Sequence, residues 1–218
     1  MMMKKVGIIG SGNVGKALSH GFLLNDYEVM IGTRDTHALL EWQVAEGANA
    51  MPGSVKEAAE FGDILVLAVK GDAAMAVMEQ LDVASYAGKT IIDTTNPIDN
   101  SKPPVNGVLS YFVSGSDSLM EQLQRKFPQA NFVKAFNSVG SSFMVNPKFP
   151  EGKPTMFICG NNADAKKKVE EILTAFGWGT QDSGMVESAR SIEALCQLWC
   201  APGFLRNEWT HAFKLLKM

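Results

Sequence analysis

The sequence has no long apolar run and no long run of charge of either sign. None of its apolar stretches approaches the about 18 consecutive residues that cross a membrane. The formal net charge is −3 over 218 residues, so we expect neither a nucleic acid nor a membrane surface as partner. Glycines interrupt the short apolar run near the N-terminus, so a signal peptide is not expected there.

Cysteine and histidine are scarce. The three cysteines, Cys159, Cys196 and Cys200, have no disulfide-framework spacing, which favours buried thiols and a reducing, cytoplasmic location. Cys196 and Cys200 would share one helix face, but no histidine lies close in sequence to complete a site, so no metal is expected. None of the three histidines has an obvious serine, cysteine or acidic partner in sequence, which leaves a hydrolase mechanism without support.

Strand and helix patterns alternate along the first two thirds of the chain. Strand patterns cover residues 5–9, 27–31, 64–69, 90–93 and 132–136, and helix patterns cover residues 13–24, 37–45, 73–81 and 118–127. Ser54 and Glu57 form a capping-box pattern that opens a further helix. The series predicts an α/β fold, a Rossmann-type doubly wound parallel sheet with helices on both faces.

The chain becomes rich in proline and charge over residues 145–154, VNPKFPEGKP, the best candidate for a domain boundary. We expect residues 1–146 to form a dinucleotide-binding domain and residues 147–218 a small C-terminal α/β extension. The extension's predicted elements are a strand over 155–159, a helix over 163–176, a short strand near 178–181 and a helix over 185–200. Pro202 and Gly203 should end that helix before a final one that reaches residue 217.

The run GSGNVG, residues 10–15, follows the first predicted strand and opens the first predicted helix. In this order the first glycine permits a tight turn, the second lets the main chain approach a pyrophosphate, and the third lets helix and strand pack closely. The N–H groups at the helix start then meet the anion with the positive end of the helix dipole. The pattern predicts a dinucleotide site that includes Gly10, Ser11, Gly12, Asn13, Val14 and Gly15.

The second predicted strand leads into Thr33 and Arg34, where an NAD site usually carries an acid about 20 residues after the glycines. A carboxylate there would repel a 2′-phosphate, whereas a guanidinium can bind it through charge-assisted and often bidentate hydrogen bonds. Thr33 adds a hydroxyl to the same site. Asp35 could instead reach the ribose as a displaced acid, and His37 could assist the phosphate or lie on the surface. We interpret the segment as a preference for NADPH.

Ligand-facing loops in such a sheet follow the carboxyl ends of the strands. Lys70 follows the predicted strand over residues 64–69 and Asn96 follows the one over residues 90–93, so both are candidates for the ligand side of the fold. The main chain of Ala68 and Val69 should flank the adenosine or the ribose. These four residues therefore join the predicted site.

Together these segments resemble the family of coenzyme-F420-dependent NADP oxidoreductases and, among its flavin-using relatives, the cytoplasmic domains of STEAP-type metalloreductases. The likeness covers nearly the whole chain and rests on VGIIGSGNVGKAL, IGTRD, DILVLAVK, IIDTTNPI, VKAFNSVGSSFM, MFICGNNADAKKKVEEIL and ESARSIEALCQLW. The first two segments are shared with many Rossmann enzymes, and the NP and AFN segments are more particular to this family.

The resemblance implies a homodimer that passes hydride between NADP(H) and a flavin-like small-molecule acceptor, F420 or FMN/FAD. It implies a cleft, completed by the C-terminal domain, whose nicotinamide end is formed by Asn96, Pro97, Ala135 and Asn137. The loop after the predicted strand over residues 64–69 departs from the family, because the F420 enzymes tend to carry a proline and a histidine where this chain has Lys70 and Ala73. That departure makes flavin a rival to F420.

Hydride transfer between two such rings needs little from side chains, because the cofactors carry the chemistry and the protein orients them. No catalytic side chain is therefore expected. Two alternatives stay open: an imine or keto-acid reductase of the pyrroline-carboxylate reductase type, and a non-catalytic NADPH-binding sensor module. The strand TMFICG and the short tail disfavour the first, and a cleft plugged by Phe136, Phe143 or Trp178 would favour the second.

Overall fold

The computed structural model describes residues 3–218. Its main sheet has six strands in the order β3-β2-β1-β4-β5-β6. They are β1 (Lys4–Ile9), β2 (Tyr27–Gly32), β3 (Ala50–Gly53), β4 (Ile64–Leu67), β5 (Thr90–Asp93) and β6 (Asn131–Lys134). All neighbours are parallel, and Val6 of β1 lies opposite Val29 on one side and Ile64 on the other. This is the strand order of a dinucleotide-binding Rossmann sheet, so the predicted fold class is confirmed.

Helices connect these strands. They are α1 (Asn13–Leu23), α2 (Leu40–Glu46), α3 (Val55–Phe61), α4 (Gly71–Met78), the single-turn α5 (Val83–Tyr86) and α6 (Leu119–Lys126). α3 begins with the predicted capping box, because Ser54 Oγ accepts the Glu57 N–H at 3.2 Å and the Glu57 carboxylate accepts the Ser54 N–H at 2.7 Å.

Two apolar cores lie on opposite faces of the sheet. Ile8 belongs to one core and the next residue, Ile9, to the other, as the alternation of side chains along a strand requires. The first core packs side chains of α1, such as Phe22, and the second packs side chains of α4, such as Met78. The central strands are thus buried on both faces, which explains the continuous apolar run of β4.

A second, two-stranded parallel sheet follows β6. It consists of β7 (Thr155–Ile158) and β8 (Gly179–Asp182), which α7 (Ala163–Ala175) connects. An antiparallel bridge between Lys134 and Cys159 links this sheet to the main one, and α8 (Ala189–Arg206) packs against α6. The division into domains at residue 146 stays a prediction.

The end of the chain differs from what the sequence predicts. Pro202 and Gly203 lie inside α8, and residues 207–218 form no helix. Pro202 costs α8 one main-chain hydrogen bond without ending it. Gly203 leaves room for the ring of Trp209, which a Cβ at residue 203 would meet at 2.3 Å. The helix ends instead at Asn207, whose φ of 57° lies in the left-handed region.

Two short elements were missed in the sequence. β3 has four residues, and one of them, Pro52, is of a type depleted in strands. It lies at the edge of the sheet, where a proline is tolerated. α5 is one turn long, too short to show a helical period. Over residues 3–218, no helix is long and apolar enough to cross a bilayer, and the cytoplasmic location stays a prediction.

Candidate functional site

The glycine-rich turn joins β1 to α1 at the carboxyl edge of the sheet. Gly10 has a φ of 121°, and a Cβ on it would lie 2.4 Å from the main-chain oxygen of Ala68. A Cβ on Gly15 would lie 2.0 Å from the main-chain oxygen of Gly10. Both positions therefore need glycine, because a side chain on Gly10 would clash with the segment after β4 and one on Gly15 would push α1 away from the turn.

Gly12 is different, because nothing lies within 4 Å of a Cβ built on it. It is the N-cap of α1, and it is exposed together with the next residue, Asn13, while Val14 is half-buried. Among residues 3–218, no side chain caps this helix, and its first turn contains no acidic residue. The N-terminus of α1 thus offers main-chain N–H groups and the positive end of the helix dipole to an anion.

A cavity of about 520 Å³ opens beside this turn, within the size range of small-molecule sites. Its lining residues are Gly10, Ser11, Gly12, Gly32, Thr33, Arg34, Val55, Ala68, Val69, Lys70, Ala73, Ala76, Val77 and Gln80. The structure thus brings together the glycine turn, the end of β2 and the segment after β4. Val55 and the side chains of α4 were not predicted, because small and apolar residues carry no motif.

A hydrogen bond between hydroxyl groups joins the glycine turn to the end of β2. Ser11 Oγ and Thr33 Oγ1 lie 3.0 Å apart, and either can donate. The Thr33 N–H also donates to the main-chain oxygen of Gly53 at 2.9 Å. These bonds hold Thr33 beside the turn and bring the neighbouring Arg34 to the cavity.

Arg34 and Lys70 are exposed cations that line the same cavity. Over the described part of the chain, neither forms a salt bridge. Asp35 Oδ1 accepts a hydrogen bond from the His37 N–H at 3.0 Å. Neither of these two residues lines the cavity. The charges at the cavity are therefore positive, which suits a phosphate.

Asn96 and Asn137, here called the asparagine pair, lie against each other after β5 and β6. Asn96 Nδ2 donates to the main-chain oxygen of Asn137 at 2.7 Å, and Asn137 Nδ2 donates to Asn96 Oδ1 at 3.0 Å and to Ile192 O at 2.9 Å. Pro97 and Ala135 beside them are buried. None of these four predicted residues lines the cavity at the glycine turn, so the predicted site consists of two separate parts.

The main chain is strained next to the asparagine pair. Phe136 has a φ of 61°, a conformation that costs a bulky residue about 1–3 kcal/mol and that concentrates at functional sites. Its ring is buried in the core, as is that of Trp178, and Phe143 packs against the same core. None of these three aromatics lines the cavity at the glycine turn. Whether they fill the cleft at the nicotinamide end stays a prediction.

A buried cluster of charged side chains lies next to the asparagine pair, and the sequence did not reveal it. Lys134 Nζ lies 2.7 Å from Asp93 Oδ2 and 2.9 Å from Glu193 Oε1, and each of the three side chains is at most 2% exposed. Burial alone would lower the pKa of Lys134, but the two carboxylates outweigh it and raise this pKa above its ordinary value. The available signal was a lysine within an apolar strand, since a buried cation requires a partner.

The cysteines lie away from the cavity. Cys159 and Cys196 are buried and Cys200 is half-buried. Burial raises the pKa of the Cys159 thiol to about 12, and Sγ of Cys196 lies 3.9 Å from Sγ of Cys200. Within residues 3–218, no three metal-binding side chains come together.

Known proteins are similar to this chain in sequence and in fold. Residues 5–97 match the family described as NADP oxidoreductase, coenzyme F420-dependent. The F420-dependent NADP reductase of Methanothermobacter thermautotrophicus is 25% identical over 91% of this chain and 88% of its own length. Metalloreductase STEAP3 of Rattus norvegicus is 26% identical over 88% of this chain, which spans only 36% of that protein.

A solved structure is similar over the whole chain. The crystal structure of a candidate F420-dependent NADP reductase from Arthrobacter sp. FB24 has a TM-score of 0.90 and 29% identity, covering 99% of this chain and 100% of that one. These findings confirm the predicted resemblance to NADP-dependent oxidoreductases.

Substitutions at Gly12 and Gly15 distinguish an effect on NADPH binding from an effect on the stability of the fold. We predict that Gly12→Ala keeps the fold, at a cost of up to about 1 kcal/mol for a poorer N-cap. The new methyl group stands where α1 would receive a pyrophosphate, so the affinity for NADPH should fall about tenfold or more. Urea unfolding measures the stability, and a fluorescence titration measures the NADPH affinity.

The matched control for this pair is Gly15→Ala. Its Cβ would meet the main-chain oxygen of Gly10 at 2.0 Å, so we expect a loss of about 1–3 kcal/mol in the free energy of unfolding. Unchanged NADPH binding by Gly12→Ala would show that the pyrophosphate does not lie at the start of α1.

Proposed function

The chain is related to the coenzyme-F420-dependent NADP oxidoreductases, and on that premise we propose that it transfers hydride between NADP(H) and a flavin-like ring, either F420 or FMN/FAD. One observation carries the proposal. Two cations, Arg34 and Lys70, line one cavity beside the uncapped N-terminus of α1. This arrangement suits a ligand with several phosphate groups, such as NADP(H).

The residues fit the adenosine half of NADP(H). Gly12 leaves the space at the start of α1 open for the pyrophosphate. Thr33 and Arg34 offer a hydroxyl and a guanidinium to the 2′-phosphate, and no carboxylate is among the residues that line the cavity. Ala68 and Val69, just after β4, flank the space for the adenosine or the ribose.

The second part of the site fits a hydride transfer that needs no acid or base. NADPH supplies the hydride when it is bound. The asparagine pair offers amide groups that orient the nicotinamide, and the buried Pro97 and Ala135 keep water away from them. Asp93, at the end of β5, is occupied by Lys134 and by two hydrogen bonds from Thr95. Its carboxylate therefore serves as a structural anion.

The acceptor is identified by offering FMN, FAD and F420 in turn to the purified protein with NADPH. We expect the absorbance of the reduced nicotinamide to fall with at least one of them, because the protein orients the two rings and the rings supply the chemistry. Boiled protein serves as the control for direct transfer in solution.

Two outcomes would contradict the proposal. NADPH that binds tightly but is oxidised with none of the three acceptors indicates the sensor module. Oxidation that requires an added imine or keto acid indicates a reductase of the pyrroline-carboxylate reductase type.

The preference for NADPH has its own test in Arg34→Glu. The variant loses a charge-assisted hydrogen bond worth about 1.5–3 kcal/mol, which corresponds to about 10- to 100-fold weaker NADPH binding. The affinity for NADH should stay the same or improve, because NADH has no 2′-phosphate to repel. Titration with both cofactors measures this.

Lys148→Glu is the matched control for the charge change, because Lys148 is exposed and does not line the cavity. It should leave both affinities unchanged. Equal effects of Arg34→Glu on NADPH and NADH would show that Arg34 does not bind the 2′-phosphate.

We further propose that the chain forms a homodimer, as the resemblance to the family implies. Leu198 and Leu205 of α8 support this, since they are 61% and 55% exposed, and such apolar side chains tend to be covered in an assembly. Light scattering should give about twice the chain mass of 23.6 kDa. A mass of one chain at all concentrations would contradict the dimer.

A further inference from the structure

The buried cluster holds Thr95, the residue before Asn96. Asp93 Oδ1 accepts both the N–H and the hydroxyl of Thr95, at 2.9 Å and 2.7 Å. Lys134 Nζ donates to the main-chain oxygen of Thr95 at 2.8 Å. The main chain of Thr95 is thus fixed at its N–H and at its carbonyl, and the position of Asn96 follows from these bonds.

Helix α8 reaches both members of the asparagine pair through two consecutive residues. The main-chain oxygen of Ile192 accepts Asn137 Nδ2 at 2.9 Å. The next residue, Glu193, lies 2.9 Å from Lys134 Nζ and so reaches Asn96 indirectly, through Lys134 and Thr95.

The charges in the cluster allow Glu193 to be neutralised while Asp93 and Lys134 stay paired. Two carboxylates, those of Asp93 and Glu193, face one ammonium group. The excess negative charge is met by the N–H groups of Leu119 and Met120 at the start of α6, which donate to Glu193 at 3.0 Å each. Glu193→Gln would leave Asp93 and Lys134 as a matched pair and would keep an oxygen for one of these N–H groups.

The cavity at the glycine turn does not depend on this cluster. None of the clustered side chains lines it, and its walls come from the loops after β1 and β4, the end of β2, and helices α3 and α4. A change at Glu193 therefore alters the asparagine pair and leaves the phosphate-binding part of the site in place.

We propose that Glu193 is a positioning residue, which acts through Lys134 to set the geometry of the asparagine pair that orients the nicotinamide. The inference rests on the proposed function, because that function assigns the asparagine pair to the nicotinamide. The C-terminal helix then determines how well hydride is transferred, while the N-terminal part of the chain determines how well the cofactor is bound.

Glu193→Gln tests this, with Arg190→Gln as the matched control. Arg190 also joins α8 to α6, through a hydrogen bond of 2.9 Å from its Nε to Glu121, and within residues 3–218 no hydrogen bond joins it to the asparagine pair or to Lys134. The measurements are the affinity for 2′,5′-ADP, the emission of the nicotinamide of bound NADPH, and kcat and KM with the acceptor that the wild-type chain uses.

In Glu193→Gln we expect unchanged affinity for 2′,5′-ADP and an emission from bound NADPH that approaches that of free NADPH. The value of kcat should fall by about 10- to 100-fold, since a misplacement of about 1 Å can cost about 100-fold, while KM for NADPH changes little. Arg190→Gln should behave like the wild-type chain. Unchanged emission and kcat in Glu193→Gln, or equal losses in both variants, would overturn the proposal.

Thermal unfolding of each variant is measured first. If Glu193→Gln does not fold, Asn137→Ala takes its place with the same measurements. Full emission from NADPH bound to Asn137→Ala would overturn the proposal, and lost emission with intact 2′,5′-ADP binding would support it. Failure of the proposed function gives a different result, because the wild-type chain would then not oxidise NADPH with any of the acceptors offered. The emission of bound NADPH would still report on the role of Glu193.

Discussion

Lys134 places a full positive charge in the interior of the protein, and the elements around it are arranged to keep that charge paired. A buried ammonium group without partners would cost far more than the fold can supply. Asp93 from the neighbouring strand and Glu193 from α8 provide the partners, and the start of α6 stabilises the second carboxylate. The position of the C-terminal helix against the main sheet is therefore fixed by electrostatics as well as by packing.

The two parts of the candidate site differ in how their residues are brought together. The cavity at the glycine turn comes from one stretch of alternating strands and helices, residues 10–80, in which each loop follows directly from its strand. The asparagine pair instead depends on α8, which lies far from both asparagines in the sequence. The two parts of the candidate site thus rest on separate structural supports.

This difference explains what the sequence could predict. The glycine turn was predictable because the close approach of main chains leaves no choice of residue, and the fold class followed from the alternation of patterns. The position of Thr33 and Arg34 beside the glycine turn was predictable because they follow the strand that pairs with β1. The role of Lys134 was not predictable, because its partners are 41 and 59 positions away, at Asp93 and Glu193. The extension of α8 through Pro202 was also missed, because a proline usually ends a helix.

The residues of the two parts of the candidate site are synthesised at different times. All residues that line the cavity at the glycine turn have been synthesised by Gln80, whereas Ile192 and Glu193 follow much later. Until then Lys134 has one carboxylate partner instead of two, and Asn137 lacks the carbonyl that accepts its amide. Because domains fold during synthesis from the N-terminus, a growing chain has all the residues of the cavity at the glycine turn before it can complete the surroundings of the asparagine pair.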